Sequence, residues 1–148
     1  MIHERLFRFF EPLFRRPAHI QAAALCIRTK AGRREVLLVT SRGTGRWILP
    51  KGWPMKDKTL AEAAAQEAWE EAGVRGEAAT DSIGSYSARK VTETGLGMRC
   101  IVHVFPLMVE RLEDDFPEQH QRRRKWVSLS RASRMVQEEE LKALLLTL

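Results

Sequence analysis

Three glutamates, Glu67, Glu70 and Glu71, stand at three- and four-residue spacings inside a run rich in alanine. A helix turns about 100° per residue, which gathers the three carboxylates into one arc of roughly 100°. Glu67 and Glu71 then form an i,i+4 like-charge pair, which costs about 0.2–0.5 kcal/mol. Glu70 and Glu71 fall in the last turn, where the helix dipole disfavours an anion by about 0.3–1 kcal/mol. No lysine or arginine lies within residues 60–72 to offset either cost. Repulsion tolerated at three convergent positions points to bound divalent cations rather than to a solvated acidic face. An all-oxygen donor set suits Mg2+ or Mn2+, which bind substrate phosphates at the same time. Just ahead of the run, Lys51, Lys56 and Lys58 crowd around Gly52. Cations beside a carboxylate–metal cluster are what a polyphosphate requires. Solvated loop lysines are the plain alternative for any one of them.

The element that must carry the glutamates is a helix from Leu60 to Ala72. Thr59 followed by Glu62 is a capping box, the interior is built of strong helix formers, and Gly73 stops it. Leu60, Ala61, Ala64, Ala65, Ala68 and Ala72 share an arc of roughly 140°, a core face small enough to sit close on a sheet. Glu62 and Gln66 point to solvent, and Ala63 falls among the carboxylates without filling the space between them. Residues 19–28 and 35–40 read as strands joined around Gly32, a hairpin. Residues 42–46 are a glycine-containing loop, 47–49 a short strand stopped by Pro50, and 51–58 a loop. Residues 82–91 and 99–110 read as strands, Trp126-Val127 starts another, and Ser130 caps one or two helices running to Leu148. Strands and helices alternate in one unit, an α/β (α+β) fold with a mixed β-sheet packed between helices. Residues 1–17 are set apart as an N-terminal amphipathic segment from a domain over 18–148. Leu6, Phe7, Phe10, Leu13 and Phe14 describe a helix broken near Pro12, packed on the domain's own surface, or else used for a dimer or membrane contact.

The chain has 148 residues, 44% of them apolar and 30% charged. Such a composition excludes a disordered chain, a collagen and a disulfide scaffold. No apolar run reaches the roughly 20 residues that span a bilayer. A net charge of +6 favours anionic partners. The positive charges are scattered and no reading helix or aromatic-interleaved stripe emerges, so nucleic acid ranks low as a partner. Cys26 and Cys100 sit in apolar runs and read as buried reduced thiols, which with the lack of a signal-peptide pattern places the chain in the cytoplasm.

Residues 52–74, GWPMKDKTLAEAAAQEAWEEAGV, resemble the Nudix box, G-x5-E-x7-R-E-U-x-E-E-x-G-U, where U is aliphatic. Gly52, Glu67, Glu70, Glu71, Gly73 and Val74 match in register, and Ala68 stands at the first U. Segments 22–40 and 47–49 and Trp126 are similar to the diphosphoinositol polyphosphate and diadenosine polyphosphate phosphohydrolase subgroup. The PKGWP form at 50–54 resembles a bacterial branch of it. Two positions depart from the box: Lys58 stands for a glutamate and Gln66 for an arginine. The resemblance implies a Nudix-like α/β/α sandwich and Mg2+-dependent (or Mn2+-dependent) cleavage of a phosphoanhydride by a metal-activated water. It implies Glu67, Glu70 and Glu71 as catalytic metal ligands, with the Gly52 carbonyl and Glu118 completing the metal site. It implies phosphate contacts from Ser41, Arg42, Lys51, Lys56, Lys58, Arg89 (or Arg99) and one or two of Arg122, Arg123 and Arg124, Arg122 foremost. His103, mid-strand, reads as structural. Trp47 reads as packing, while Trp53 has the choice of packing or stacking on a base. The expected substrate is a dinucleoside polyphosphate or a diphosphoinositol polyphosphate. The alternatives are ADP-ribose, a nucleoside triphosphate or an RNA 5′ end, and a non-hydrolytic sensor of nucleotides or phosphates. A homodimer is a further option for the partner.

Overall fold

The computed structural model describes residues 19–91, 95 and 97–148. The expectations for residues 1–17 lie outside them. Strand β1 (His19–Lys30) and β2 (Arg33–Thr40) form the expected hairpin, longer than the sequence pattern indicated. Its two-residue turn places Ala31 at φ 51 and Gly32 at φ 77. Both central residues of such a turn must adopt positive φ, a conformation that suits the twist of the strands.

Next come β3 (Trp47–Ile48), β4 (Lys51–Gly52), helix α1 (Leu60–Ala72), β5 (Val74–Arg75), β6 (Gly84–Val91), β7 (Gly97–Met108), β8 (Arg111–Leu112) and β9 (Arg124–Ser128). Helices α2 (Leu129–Met135) and α3 (Glu139–Leu146) follow. The main sheet runs β3-β2-β1-β7-β6, with β4 also on β1 and β9 also on β2. It is mixed: β1 and β7 are parallel, and the other pairs antiparallel. Strands β5 and β8 make a separate ribbon.

The alternation along β1 shows how the layers arise. Ala22, Ala24 and Cys26 join α1 residues Ala61, Ala64, Ala68 and Ala72 in one core. Ala23, Leu25 and Ile27 join Ala132, Val136, Leu141 and Leu145 of the C-terminal segment in the other. A strand buried on both faces reads as a continuous apolar run, here AAALCI. Alanine on both sides lets α1 lie close on the sheet, so its last turn is held firmly above β4.

Several local expectations are corrected. Lys51 and Gly52 are a strand rather than a loop, because Gly52 pairs with Ala22 and Lys51 with Ala23. Ser128, not Ser130, caps α2: its hydroxyl accepts from the Arg131 N–H at 3.2 Å. The core face of α1 is wider than expected, since Ala63, in the same arc as the carboxylates, is also buried in the α1 core. At the start of α1 the capping box is present, with Thr59 Oγ1 accepting from the Glu62 N–H and Glu62 accepting from the Thr59 N–H. Gly73 closes the helix at φ 70, a left-handed position that glycine adopts without strain.

Candidate active site

Helix α1 delivers Glu67, Glu70 and Glu71 to one wall of a cavity of about 570 Å³. Glu71 is buried, and its carboxylate is held from two sides. The Lys51 backbone N–H donates to Oε2 at 3.1 Å, and Arg122 Nη2 lies 3.1 Å from Oε1. Arg122 is itself nearly buried; it also donates to the Thr40 carbonyl at 3.0 Å and to Glu118 at 3.2 Å. Glu118 reaches the cavity because its backbone N–H donates to the Glu70 carbonyl at 3.0 Å, tying its loop to the end of α1. Burial pushes Glu71 up to about 8, with Glu67 and Glu118 adding to the rise, against the pull of Arg122 and the Lys51 N–H. Burial, then the charges of Glu70 and Glu118, push Glu67 up to about 7.

The α1 carboxylates are therefore crowded, as their spacing implied, but not without cations. Arg122 arrives beside Glu71 from a distant segment. Arg124 Nη1 donates to the Ala72 carbonyl at 2.8 Å and to the Glu113 carbonyl at 2.6 Å, beside the negative end of the helix. Only tertiary structure supplies these partners, so the sequence of the helix could not show them.

Of the residues assigned to phosphate, Ser41, Arg42, Lys51, Arg89 and Arg122 line the cavity, together with Gly52 and Glu118. Lys56 and Lys58 do not: Lys56 is exposed on the loop, and Lys58 lines a separate depression with Gln66 and Trp69 on the outer side of α1. The two departures from the Nudix box thus meet in one place, away from the carboxylates. Arg99 lies opposite Arg89 across β6 and β7 but outside the cavity lining. Arg123 stands 5.6 Å over the Trp47 ring. His103 is half-buried opposite Ala22 and Ser85 and does not line the cavity. Sequence reasoning missed Gln21, Thr44, Arg46, Ile48 and Lys90, which also line the cavity. Arg46 carried a signal in hindsight, since it closes the SRGTGR loop four residues after Arg42. Gln21 accepts from Lys51 Nζ at 3.0 Å, a contact that strand pairing creates and spacing does not reveal.

The donor set fits a hard divalent cation: carboxylate oxygens from Glu67, Glu70, Glu71 and Glu118 with a backbone carbonyl at Gly52. Among the described residues no three acidic, histidine or cysteine side chains are grouped as a ready cage. Glu71 is turned toward Arg122, so binding a cation requires these side chains to regroup. The cradle is visible at Gly52, where a Cβ would fall 2.3 Å from Glu67 Cδ and Oε1. Gly52→Ala must therefore displace the carboxylate rather than the backbone. A variant stability within about 1 kcal/mol of wild type is expected, because the far end of a glutamate moves cheaply. Turnover is expected to fall about 100-fold, since a misplacement of about 1 Å has that effect. Thermal melts and kcat measured on the same preparation check both halves.

A family model described as NUDIX domain matches residues 18–146, most of the chain. The chain belongs to the Nudix family. Nudix hydrolase 21, chloroplastic, of Arabidopsis thaliana is 39% identical to it over 107 residues, 72% of this chain and 52% of that protein. Diphosphoinositol polyphosphate phosphohydrolase 3-alpha of Mus musculus is 30% identical over 119 residues, 79% of this chain and 68% of that protein. The chain spans about half the length of the plant Nudix relatives it matches. Among solved structures, a C. elegans Ap4A hydrolase superposes with a TM-score of 0.61 at 23% identity, over 87% of this chain and 94% of that one. At that identity the likeness is one of fold, and it places this Nudix chain in the α/β/α architecture expected of it. No described helix of the Nudix chain is long and apolar enough to cross a membrane.

Proposed function

We propose that this chain is a pyrophosphohydrolase that cleaves a phosphoanhydride, with Mg2+ or Mn2+, in a dinucleoside polyphosphate or a related polyphosphate. One observation carries the reading: four carboxylates and six cationic side chains line the same cavity. The carboxylates are Glu67, Glu70, Glu71 and Glu118; the cations are Arg42, Arg46, Lys51, Arg89, Lys90 and Arg122. A surplus of fixed positive charge beside a hard-cation donor set fits a substrate with several phosphates. The named activities of the plant and mouse relatives support the same class.

A divalent cation bound here would neutralise phosphate oxygens and lower the pKa of water at the reacting phosphorus. Glu67, Glu70 and Glu71 would hold that cation, with the Gly52 carbonyl and Glu118 as further oxygen donors. Arg42, Lys51, Arg89 and Arg122 orient the remaining phosphates, the arginines through forked donors matched to phosphate oxygens. Ser41 shapes the loop that presents Arg42: its hydroxyl lies 2.7 Å from Thr44 Oγ1 and accepts from the Arg46 N–H at 3.1 Å. Lys56 and Lys58 have no part in this arrangement. The free, buried thiols of Cys26 and Cys100 fit a reducing compartment such as the cytoplasm.

The test is a nucleotide- and phosphate-release assay with Mg2+ or Mn2+. Its substrates are diadenosine tetra- and pentaphosphate, a diphosphoinositol polyphosphate, ADP-ribose, the nucleoside triphosphates and a 5′-triphosphate RNA. The expected result is turnover of the long polyphosphates that falls at least about 100-fold in Glu70→Gln. Preferred turnover of ADP-ribose, triphosphates or RNA would move the substrate while keeping the class. Binding without turnover of any of them would overturn the reading in favour of a phosphate sensor.

A further inference from the structure

We infer that Trp53 is a stacking platform for the base of the substrate, so that the substrate carries a nucleoside. This deepens the proposed function and rests on it. Among the described residues, every side chain lining the cavity is polar except Ile48 and Trp53, with Gly52 contributing only backbone, and Ile48 is buried. Among the described residues, Trp53 is thus the only aromatic side chain in that wall. It is 37% exposed, the one aromatic among the large apolar side chains that face solvent in the described residues. The other three tryptophans are half-buried elsewhere: Trp47 packs on the core, Trp69 lies 3.5 Å under the Arg75 guanidinium, and Trp126 lies 4.3 Å under that of Arg28.

The ring is held, not loose. It follows Gly52, which is fixed by pairing with Ala22, and precedes Pro54, which restricts its backbone to extended conformations. His19 meets it edge-on, with centroids 6.0 Å apart and planes at 82°. The Lys90 ammonium, another lining residue, stands 5.1 Å from the ring centroid on its face. The ring is therefore one residue from the position that cradles Glu67, with a cation at hand for the phosphate next to a stacked base. A flat, partly exposed indole beside a cationic groove is the arrangement that binds nucleobases without reading their edges. An inositol or inorganic polyphosphate offers nothing flat to cover it.

The experiment compares wild type, Trp53→Ala and Trp53→Phe on diadenosine tetraphosphate and on a diphosphoinositol polyphosphate. The expected result is a KM for the dinucleotide about 5- to 150-fold higher in Trp53→Ala, the loss that removing one base stack produces. kcat stays within a few-fold, Trp53→Phe recovers most of the loss, and the inositol substrate is unaffected. Independently of turnover, ADP should quench tryptophan emission where inorganic pyrophosphate does not, and Trp53→Phe should abolish that quenching. Equal losses on both substrates, an unchanged KM for the dinucleotide, or quenching that survives Trp53→Phe would overturn the inference. Turnover confined to the inositol substrate would overturn it while leaving the phosphoanhydride chemistry standing. Absence of all turnover would overturn the chemistry, and the quenching experiment would still decide the role of Trp53.

Discussion

The metal-free protein is expected to lose stability as the pH rises from 5 to 9, by on the order of 4 kcal/mol or roughly 10 °C in Tm. Glu67 and Glu71 titrate near 7 and 8 in the fold because burial and mutual repulsion oppose their ionisation. In the unfolded chain they ionise near the ordinary glutamate range. The folded state therefore binds more protons than the unfolded state across this window. A raised pKa stabilises fully below the unfolded value, and that stabilisation is lost as the pH climbs through the folded value. One unit is about 1.4 kcal/mol, and the two shifts together would exceed the figure given. Buried Glu71 carries most of the loss, over about three units between pH 5 and 8, whereas Glu67 is half-exposed, its charge is screened, and it adds less. Added Mg2+ should restore most of the loss at pH 8–9, since a ligand that binds only the fold stabilises it by mass action. Glu71→Gln should flatten the metal-free profile, and Glu67→Gln should make it shallower. A profile that rises or stays flat from pH 5 to 9 would show that the carboxylates are not crowded.

Removing Arg46 should be the second large effect, with an expected cost of about 2–4 kcal/mol for Arg46→Met in a denaturant titration. Arg46 Nη1 lies 2.6 Å from Glu138 Oε1, and the Glu138 side chain is only 9% exposed. Glu138 Oε2 is buried and has no hydrogen-bond partner among the described residues. Taking away the guanidinium leaves a carboxylate with both oxygens unpaired, beside Tyr86, whose phenol is wholly buried. Burial and the Glu138 charge raise the Tyr86 pKa, so that phenol stays protonated. The double variant Arg46→Met/Glu138→Leu should recover most of the stability, because replacing both members of a buried pair with apolar groups is often neutral. It should not recover affinity, since Arg46 also lines the cavity. Restored Tm with a raised KM is the expected pair of results. A double variant as unstable as the single one would mean that the pair does more than neutralise itself.

The fold was legible where local chemistry decides it. The Thr59–Glu62 box and Gly73 bounded α1, and the apolar run in 19–28 read as a strand, although its cover on both faces emerged only with the two cores. The two-residue strands β4, β5 and β8 were not legible, because pairing with a partner remote in sequence defines them, not any pattern of their own. The site divides in the same way. Helical spacing brought Glu67, Glu70 and Glu71 together, and the structure agrees. Lys56 and Lys58 looked close to Gly52 in sequence, but β4 ends at Gly52 and the chain then carries Lys58 around to the other side of α1. Arg122 and Lys90 enter from elements more than 20 residues from the glutamates, and spacing alone could not select them; Arg122 was named only through the resemblance. The three arginines at 122–124 part company only in the fold: Arg122 enters the cavity just before β9, Arg123 lies over Trp47, and Arg124, the first residue of β9, seals the end of α1.

The parallel pairing of β1 with β7, His19 to Cys100 through Ile27 to Met108, sets the timetable of assembly. Partners about 80 residues apart cannot meet until the intervening chain exists, and such distant contacts slow folding. On the ribosome, a nascent chain that has not yet reached β7 presents the free edge of β1, flanked by apolar faces. An open edge of that kind invites pairing with another copy. The same strand holds Gly52 through Ala22. Refolding from denaturant should therefore restore helical signal from α1 first and hydrolytic activity last, with a yield that falls as the protein concentration in the refolding mixture rises.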